Sequence, residues 1–560
     1  MTRATLALMA LLAVPAPPAV ADTYPRQPGL DIQHYVFRIT LSDATDEIAG
    51  EATVDVRFVR DGVTSLELDL VSAAGRADGG GMRVTGVTAG GEPTAFVHEG
   101  DRLRLTVQPP SRAGERRRFT VAYDGKPAAG LIIGPNRHGD RTVFSDNWPN
   151  KARHWLPTLD HPGDKATCEF VVTAPAHYQV ISNGLLIEET DTSNGRRVTH
   201  WKQSVPIASW LYVLGAARFA VQHLAEYDGR PVQTWVYAQD RDAGFHDFAV
   251  PTHQVLEFYG RHIGPYAYEK LANVQAKSVG GGMEAATAIF YGENLVTGDR
   301  TLRLRNVIIH EIAHQWWGNA VTEDDWDHVW LSEGFATYFT LLFIEHAYGR
   351  DAFVAGLRDS RRRIREFHEK NPAYRVVHDN LSDMRQVTTS QTYQKGGWTL
   401  HMLRGLVGDE AFWAGIREYY RRYRDANAST DDFRRVMEEA AGQPLAWLFD
   451  QWLRRGGYLT VDGTWRHDPG AGTVEVELAQ TQSGEPFDVP IEIGLTFGEG
   501  YPSRLERVRL SEPRQRFAIP VDREPATVSL DPNVWVLMDA TLGRREREGE
   551  DRRTPEGARR

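Results

Sequence analysis

Two histidines in residues 307–319 (VIIHEIAHQWWGN), His310 and His314, stand four positions apart. A helix turns by about 100° per residue, so both imidazoles leave one face and can share a cation. Glu311 lies one position on, beside the open coordination position, where a carboxylate acts as a general base rather than a ligand. In a chain with 19 His such a pattern arises by chance roughly once in twenty, so a second element must decide. That element is 330–339 (WLSEGFATYF), an apolar helical segment in which Glu333 is the one acid. A buried carboxylate without a partner is costly, and a metal ion is such a partner. Two His and one Glu form the three-ligand set of a catalytic zinc, with the fourth position left for water.

These residues need a helical frame. From Phe248 to about 455 the apolar spacing is helical, with long segments at 302–318, 330–348, 394–406 and 431–453. Gly318-Asn319 is expected to end the first of them. Residues 30 to about 215 instead alternate as strands, in 36–41, 66–70 and 103–107, with Gly and Pro clusters between. Alternation returns after Gly456-Gly457, in 473–478, 489–493 and 517–521, as a small β-sandwich predicts. The stretch after 541 mixes Arg with acids, lacks an apolar pattern and reads as a disordered tail.

Composition narrows the class. At 560 residues several domains are expected. A content of 41% hydrophobic and 25% charged residues is that of a globular protein. The net charge of −11 argues against nucleic acid as a partner, since phosphate binding needs a clustered positive field. The start reads as an export signal: Arg3, then the apolar run 6–14 (LALMALLAV), then Ala19-Val20-Ala21 as a small-x-small cleavage pattern. Mature protein should therefore begin at Asp22, in the periplasm or outside the cell. No later run is long enough to span a membrane. The single cysteine, Cys168, cannot form an internal bridge and reads as a buried strand thiol.

His310-Glu311-x-x-His314, eighteen intervening residues and Glu333 resemble the gluzincin pattern of the aminopeptidase N family. Its Gly-x-Met-Glu-Asn loop is matched by Gly281-Gly282-Met283-Glu284-Ala285, and its Tyr-x-Lys-Gly element by Tyr393-Gln394-Lys395-Gly396. Residues 152–157 (ARHWLP) and 164–167 (DKAT) are similar to a family stretch before the catalytic domain. Ala285 replaces the usual Asn, and Trp148 stands where many relatives carry a Gln or Glu near the substrate amine.

The resemblance implies one Zn2+ ion on His310, His314 and Glu333, with Glu311 as base and Tyr393 as oxyanion donor. It implies that Glu284, with Gly281, Gly282 and Met283, binds peptides through their free N-terminus. The implied fold is multidomain α+β: signal peptide 1–21, N-terminal β-sheet domain 22–215, thermolysin-like, mainly helical catalytic domain 216–455, β-sandwich 456–541 and tail 542–560. Larger relatives add a helical domain over the active site. This chain ends soon after the sandwich, so a more open cleft is expected. The expected activity is that of a zinc metallo-aminopeptidase. A bifunctional aminopeptidase and epoxide hydrolase, or a non-catalytic peptide-binding protein of the same fold, are the alternatives.

Overall fold

The computed structural model describes residues 22–378 and 381–545. The expected signal 1–21 and most of the expected tail lie outside the described residues.

Alternating apolar residues build the first domain. Strands Leu30–Thr40, Ile48–Phe58, Arg116–Lys126 and Lys165–Pro175 lie side by side in an eight-stranded sheet. Leu30–Thr40 runs parallel to Lys165–Pro175 and antiparallel to Ile48–Phe58. Phe37, Ile39, Val54, Val56, Phe119, Val121, Phe170 and Val172 all point from one face and are buried, each such side chain contributing about 1.5–3 kcal/mol. Cys168 lies in this sheet, buried and free of any disulfide. Burial pushes its thiol well above the ordinary range, which leaves it inert. The last strand of the domain, Leu214–Ala217, pairs with Gln179–Ser182 and Arg141–Ser145. This strand runs across the expected boundary at 215.

The middle domain is not helical from its start. Phe219–Tyr227, Arg230–Tyr237, Leu271–Ala276, Ala288–Gly292 and the short edge strand Gly282–Met283 form a five-stranded sheet. Helices Leu302–His314, Trp330–Tyr348, Arg350–His368, Gly396–Val407, Asp409–Tyr423 and Thr430–Ala441 follow it. Two predicted helix ends move. Leu302–His314 stops four residues before Gly318, because Gly318 N bonds to Val321 O and folds the chain back. The segment 431–453 breaks at Gly442, which is left-handed at φ 65° and caps Thr430–Ala441.

The third domain is a sandwich of a four-stranded and a three-stranded sheet. Its last strand, Met538–Arg544, pairs with Leu459–Asp468, so residues 542–544 belong to the sheet and not to a tail. Among the described residues no helix is long and apolar enough to cross a membrane.

Candidate metal centre

The helix Leu302–His314 starts at Thr301, whose hydroxyl accepts from Leu304 N at 3.3 Å. Three turns later it presents His310 and His314 from one face, with their Nε2 atoms 3.1 Å apart. Glu333, in the first turn of Trp330–Tyr348, places Oε2 3.4 Å from His310 Nε2 and 3.2 Å from His314 Nε2. A tetrahedral zinc with bonds of about 2.0–2.1 Å separates its ligand atoms by roughly 3.3 Å. The three observed spacings match that edge. Glu333 Oε2 is buried and lacks a hydrogen-bond partner, so the group fits a cation and is poorly satisfied by protein alone.

The imidazole of His314 is fixed from behind. Its Nδ1 faces Trp317 O at 3.0 Å and Ser332 Oγ at 3.1 Å. A proton on Nδ1 serves the carbonyl and leaves the Nε2 lone pair for a metal. Gly318, at φ 99°, makes room for Ser332: a Cβ there would lie 2.1 Å from Ser332 Oγ.

Two more carboxylates converge. Glu311 and Glu284 each group with His314, with donor atoms all within 4.8 Å of one another. Glu284 Oε1 and Glu311 Oε2 are buried without hydrogen-bond partners. Burial pushes Glu284 up to about 7, with Glu333 adding to the effect and His314 opposing it. Burial, and next the Glu284 charge, pushes Glu311 well above the carboxylate range. For Glu333 burial also opposes ionisation, but His314 and His310 overcome it and hold its pKa at about 2. So much buried negative charge calls for a cation at the centre.

The loop 281–285 is held by side chains that follow the metal helix. Glu284 O accepts from Gln315 Nε2 at 3.0 Å and from Asn319 Nδ2. Gln315 Oε1 also accepts from Thr287 N at 3.1 Å. Gln315 therefore fixes the loop that carries Glu284, with Ala285 buried beside it. Gly281 O accepts from Gly292 N at 2.7 Å, while Met283 is buried in the edge strand. The Glu311 carboxyl packs directly on Gly282.

Tyr393 lies in the π-helical turn Gln391–Lys395, and its hydroxyl donates to Glu333 Oε1 at 2.7 Å. Just after the turn, the start of helix Gly396–Val407 meets the ligand helix through glycines: a Cβ on Gly334 would lie 2.9 Å from Gly396 Cα. Lys395 Nζ anchors the far side of the turn on Gly457 O at 3.0 Å. All nine residues singled out in the sequence thus belong to one centre or the loop against it.

Beside Trp148, Asn147 donates to Tyr212 O and accepts from Trp155 Nε1, and Asp146 pairs with Lys151 Nζ at 2.7 Å. Trp148 packs on Trp210 and Trp326. Sequence reasoning missed Gln315, Asn319 and Glu323. Glu323 is buried with neither oxygen hydrogen-bonded, and burial, with Glu284 and Glu333 acting in the same direction, pushes it up to about 8. Its place in the tripeptide strand Val321–Glu323 gave no local signal.

A buried His-His-Glu cluster with a carboxylate beside it, set between a sheet edge and a helix bundle, has the ligand set of a zinc centre. The Peptidase M1 N-terminal domain matches residues 32–211 and the Peptidase family M1 domain matches 249–452, and the chain belongs to that M1 family. Glutamyl aminopeptidase of Mus musculus is 26% identical over 372 residues, which cover 63% of this chain and 38% of that protein. Probable aminopeptidase 1 of Saccharolobus solfataricus is 25% identical over 71% of this chain and 50% of its own length. The chain thus spans half or less of these relatives. An M1 zinc metallopeptidase of Deinococcus radiodurans, solved with a Tyr-Ser-Ala substrate, shares the fold with a TM-score of 0.65 and 24% identity, covering 76% of this chain and 94% of that one.

Proposed function

We propose that this protein is an exported zinc aminopeptidase that removes single residues from peptides with a free N-terminus. The observation that carries this reading is the meeting of His310, His314 and Glu333 at 3.1–3.4 Å with two further buried carboxylates, Glu311 and Glu284. Zinc on the three ligands supplies Lewis acidity to a water and to the scissile carbonyl.

The chain's own groups do the rest. Glu311 takes the proton from the attacking water and returns it to the departing amine. The Tyr393 hydroxyl turns from Glu333 towards the carbonyl oxygen as negative charge develops there. Glu284 accepts the substrate's α-ammonium. A carboxylate at a fixed distance from the ligand set measures one residue and rejects a chain that continues past it. The gathering of base, ligands and tyrosine in one place favours an enzyme over a peptide-binding relic.

Export follows from Arg3, the apolar run and Ala19-Val20-Ala21. The deciding assay is mass spectrometry of products from matched free and N-acetylated peptides. Stepwise trimming of the free peptides alone supports the reading. Internal cleavage of the acetylated ones at a similar rate overturns it and leaves an endopeptidase.

A further inference from the structure

Asp22 docks on the segment that separates the metal ligands. It is buried, and its backbone nitrogen donates to Asp325 Oδ2 at 3.0 Å. Its carboxylate accepts from Tyr24 N and faces His161 Nε2, both at 2.9 Å. The Tyr24 ring stacks on His161 at 4.6 Å, and its hydroxyl donates to Asp69 Oδ2 at 2.6 Å. Arg26 completes the strap, reaching Asp325 Oδ2 at 2.8 Å and Asp324 O at 3.1 Å.

The receiving carboxylate has a second task. Asp325 Oδ1 accepts from Asp327 N at 3.0 Å and caps the turn Trp326–His328. That turn runs through Val329 into Trp330–Tyr348, the helix of Glu333. Trp326 meets His161 at 6.4 Å and Trp148 at 5.3 Å between ring centres. The strap, the turn and the ligand helix are therefore joined by consecutive contacts.

The charges around Asp22 do not balance. Asp22, Asp324 and Asp325 face one permanent cation, Arg26, while the neighbouring His161 and His328 carry charge only when protonated. Asp324 Oδ1 is buried with no hydrogen-bond partner. Burial raises the pKa of Asp324, and the Asp325 charge adds to it. Three carboxylates against one guanidinium leave an excess of negative charge, next to the nitrogen that follows the Ala19-Val20-Ala21 pattern.

We propose that signal removal supplies a countercharge: the α-ammonium of processed Asp22 pairs with Asp325 and positions the turn that leads to Glu333. Hydrolysis of the Ala21–Asp22 peptide bond by water leaves a carboxylate on Ala21 and an ammonium on Asp22. One amide N–H becomes three donors bearing a full charge at a site already built around carboxylates. A charge-assisted bond of this kind is stronger than the neutral one it replaces. Asp22 and Asp325 are positioning residues, since neither touches substrate.

This inference rests on the export reading, which N-terminal sequencing of the exported protein tests separately. Retention of Met1 ends both, whereas a new first residue other than Asp22 leaves export standing and ends this inference alone. The strap itself is tested by melting four full-length mature proteins: one starting at Asp22, one with Gly-Ser before it, and both again with Asp325→Asn. At pH 7 the extension is expected to lower the Tm by about 2–4 °C with Asp325 present, and to leave the Asp325→Asn pair alike.

The pH profile gives the sign. Pairing with a carboxylate raises the amine pKa above its ordinary ~7.7–8.0. The advantage is then complete below that range and is lost as pH rises through the shifted value. The other titratable and charged groups that face this nitrogen are the Asp22 side chain, Asp324, Asp325, Arg26, His161 and His328. Should Asp325→Asn fail to fold, acetylation of the α-amine of the Asp22-start protein replaces it and should match the extended form. Equal Tm values at pH 7, or a difference that persists at pH 10 or in Asp325→Asn, would overturn the proposal.

Discussion

Replacing Gly282 by Ala tests the general base without touching a ligand. A Cβ at this position would lie 2.2 Å from both Cδ and Oε1 of Glu311 and 2.4 Å from Cγ. Carbon atoms rest at about 3.5–4.0 Å, so the carboxyl must retreat by roughly 1.3 Å or more. The movement is sterically easy, because a flexible side chain can yield, but it displaces the atom that must meet the water's proton. A misplacement of about 1 Å costs on the order of 10²-fold in rate, or roughly 2.7 kcal/mol of barrier. The three atoms nearest the new methyl all belong to Glu311, so zinc should stay bound. The assay is turnover of an aminoacyl chromogen with zinc content measured on the same sample. A kcat within about threefold of the parent at full zinc would refute the placement of the base against Gly282.

Glu311→Gln should retain zinc and lose about 10²–10⁴ in turnover, while His310→Ala should lose the metal as well; elemental analysis beside kinetics separates the two. Tyr393→Phe, assayed at saturating zinc because it also removes the bond to Glu333 Oε1, should lower kcat by about 10²–10³ with a smaller change in KM, and an unchanged kcat would return the tyrosine to a packing role. Glu284→Ala should keep zinc and lose most activity on free-amine peptides, since alignment over the centre depends on that anchor; undiminished trimming would remove Glu284 from the amine site.

The centre was legible in the sequence because its rules are local. His310, Glu311 and His314 lie within two helical turns, and Glu333 stands out as the one acid in the apolar stretch 330–339. Strands with clean alternation, such as Leu30–Thr40 and Thr473–Gln480, were legible for the same reason. What escaped depends on partners distant in the chain. Leu302–His314 ends early because Gly318 bonds to Val321, a choice made by the following turn and not by the glycine alone. The sheet strands at 219–292 include Leu271–Ala276, buried on both faces, so no alternation marks it. Gln315 and Asn319 look like ordinary polar residues until the loop at 284–287 is folded onto them. The strand Met538–Arg544 hides in a charged composition because only its pairing with Leu459–Asp468 defines it. The roles of Glu284 and Tyr393 came from family likeness, since one Glu and one Tyr carry no spacing of their own.

The contact between Gly334 and Gly396 sets a dimension of the candidate site. The ligand helix and the start of helix Gly396–Val407 touch there through main chain, and a Cβ on either glycine would collide with the opposite Cα at about 3 Å. Backbone thickness therefore sets the gauge between these elements, with Trp330 and Thr337 packing at its edges. Side-chain drift elsewhere in the core can retune the pocket for a different first residue while that gauge stays constant. Specificity and catalytic spacing can thus diverge independently within one scaffold.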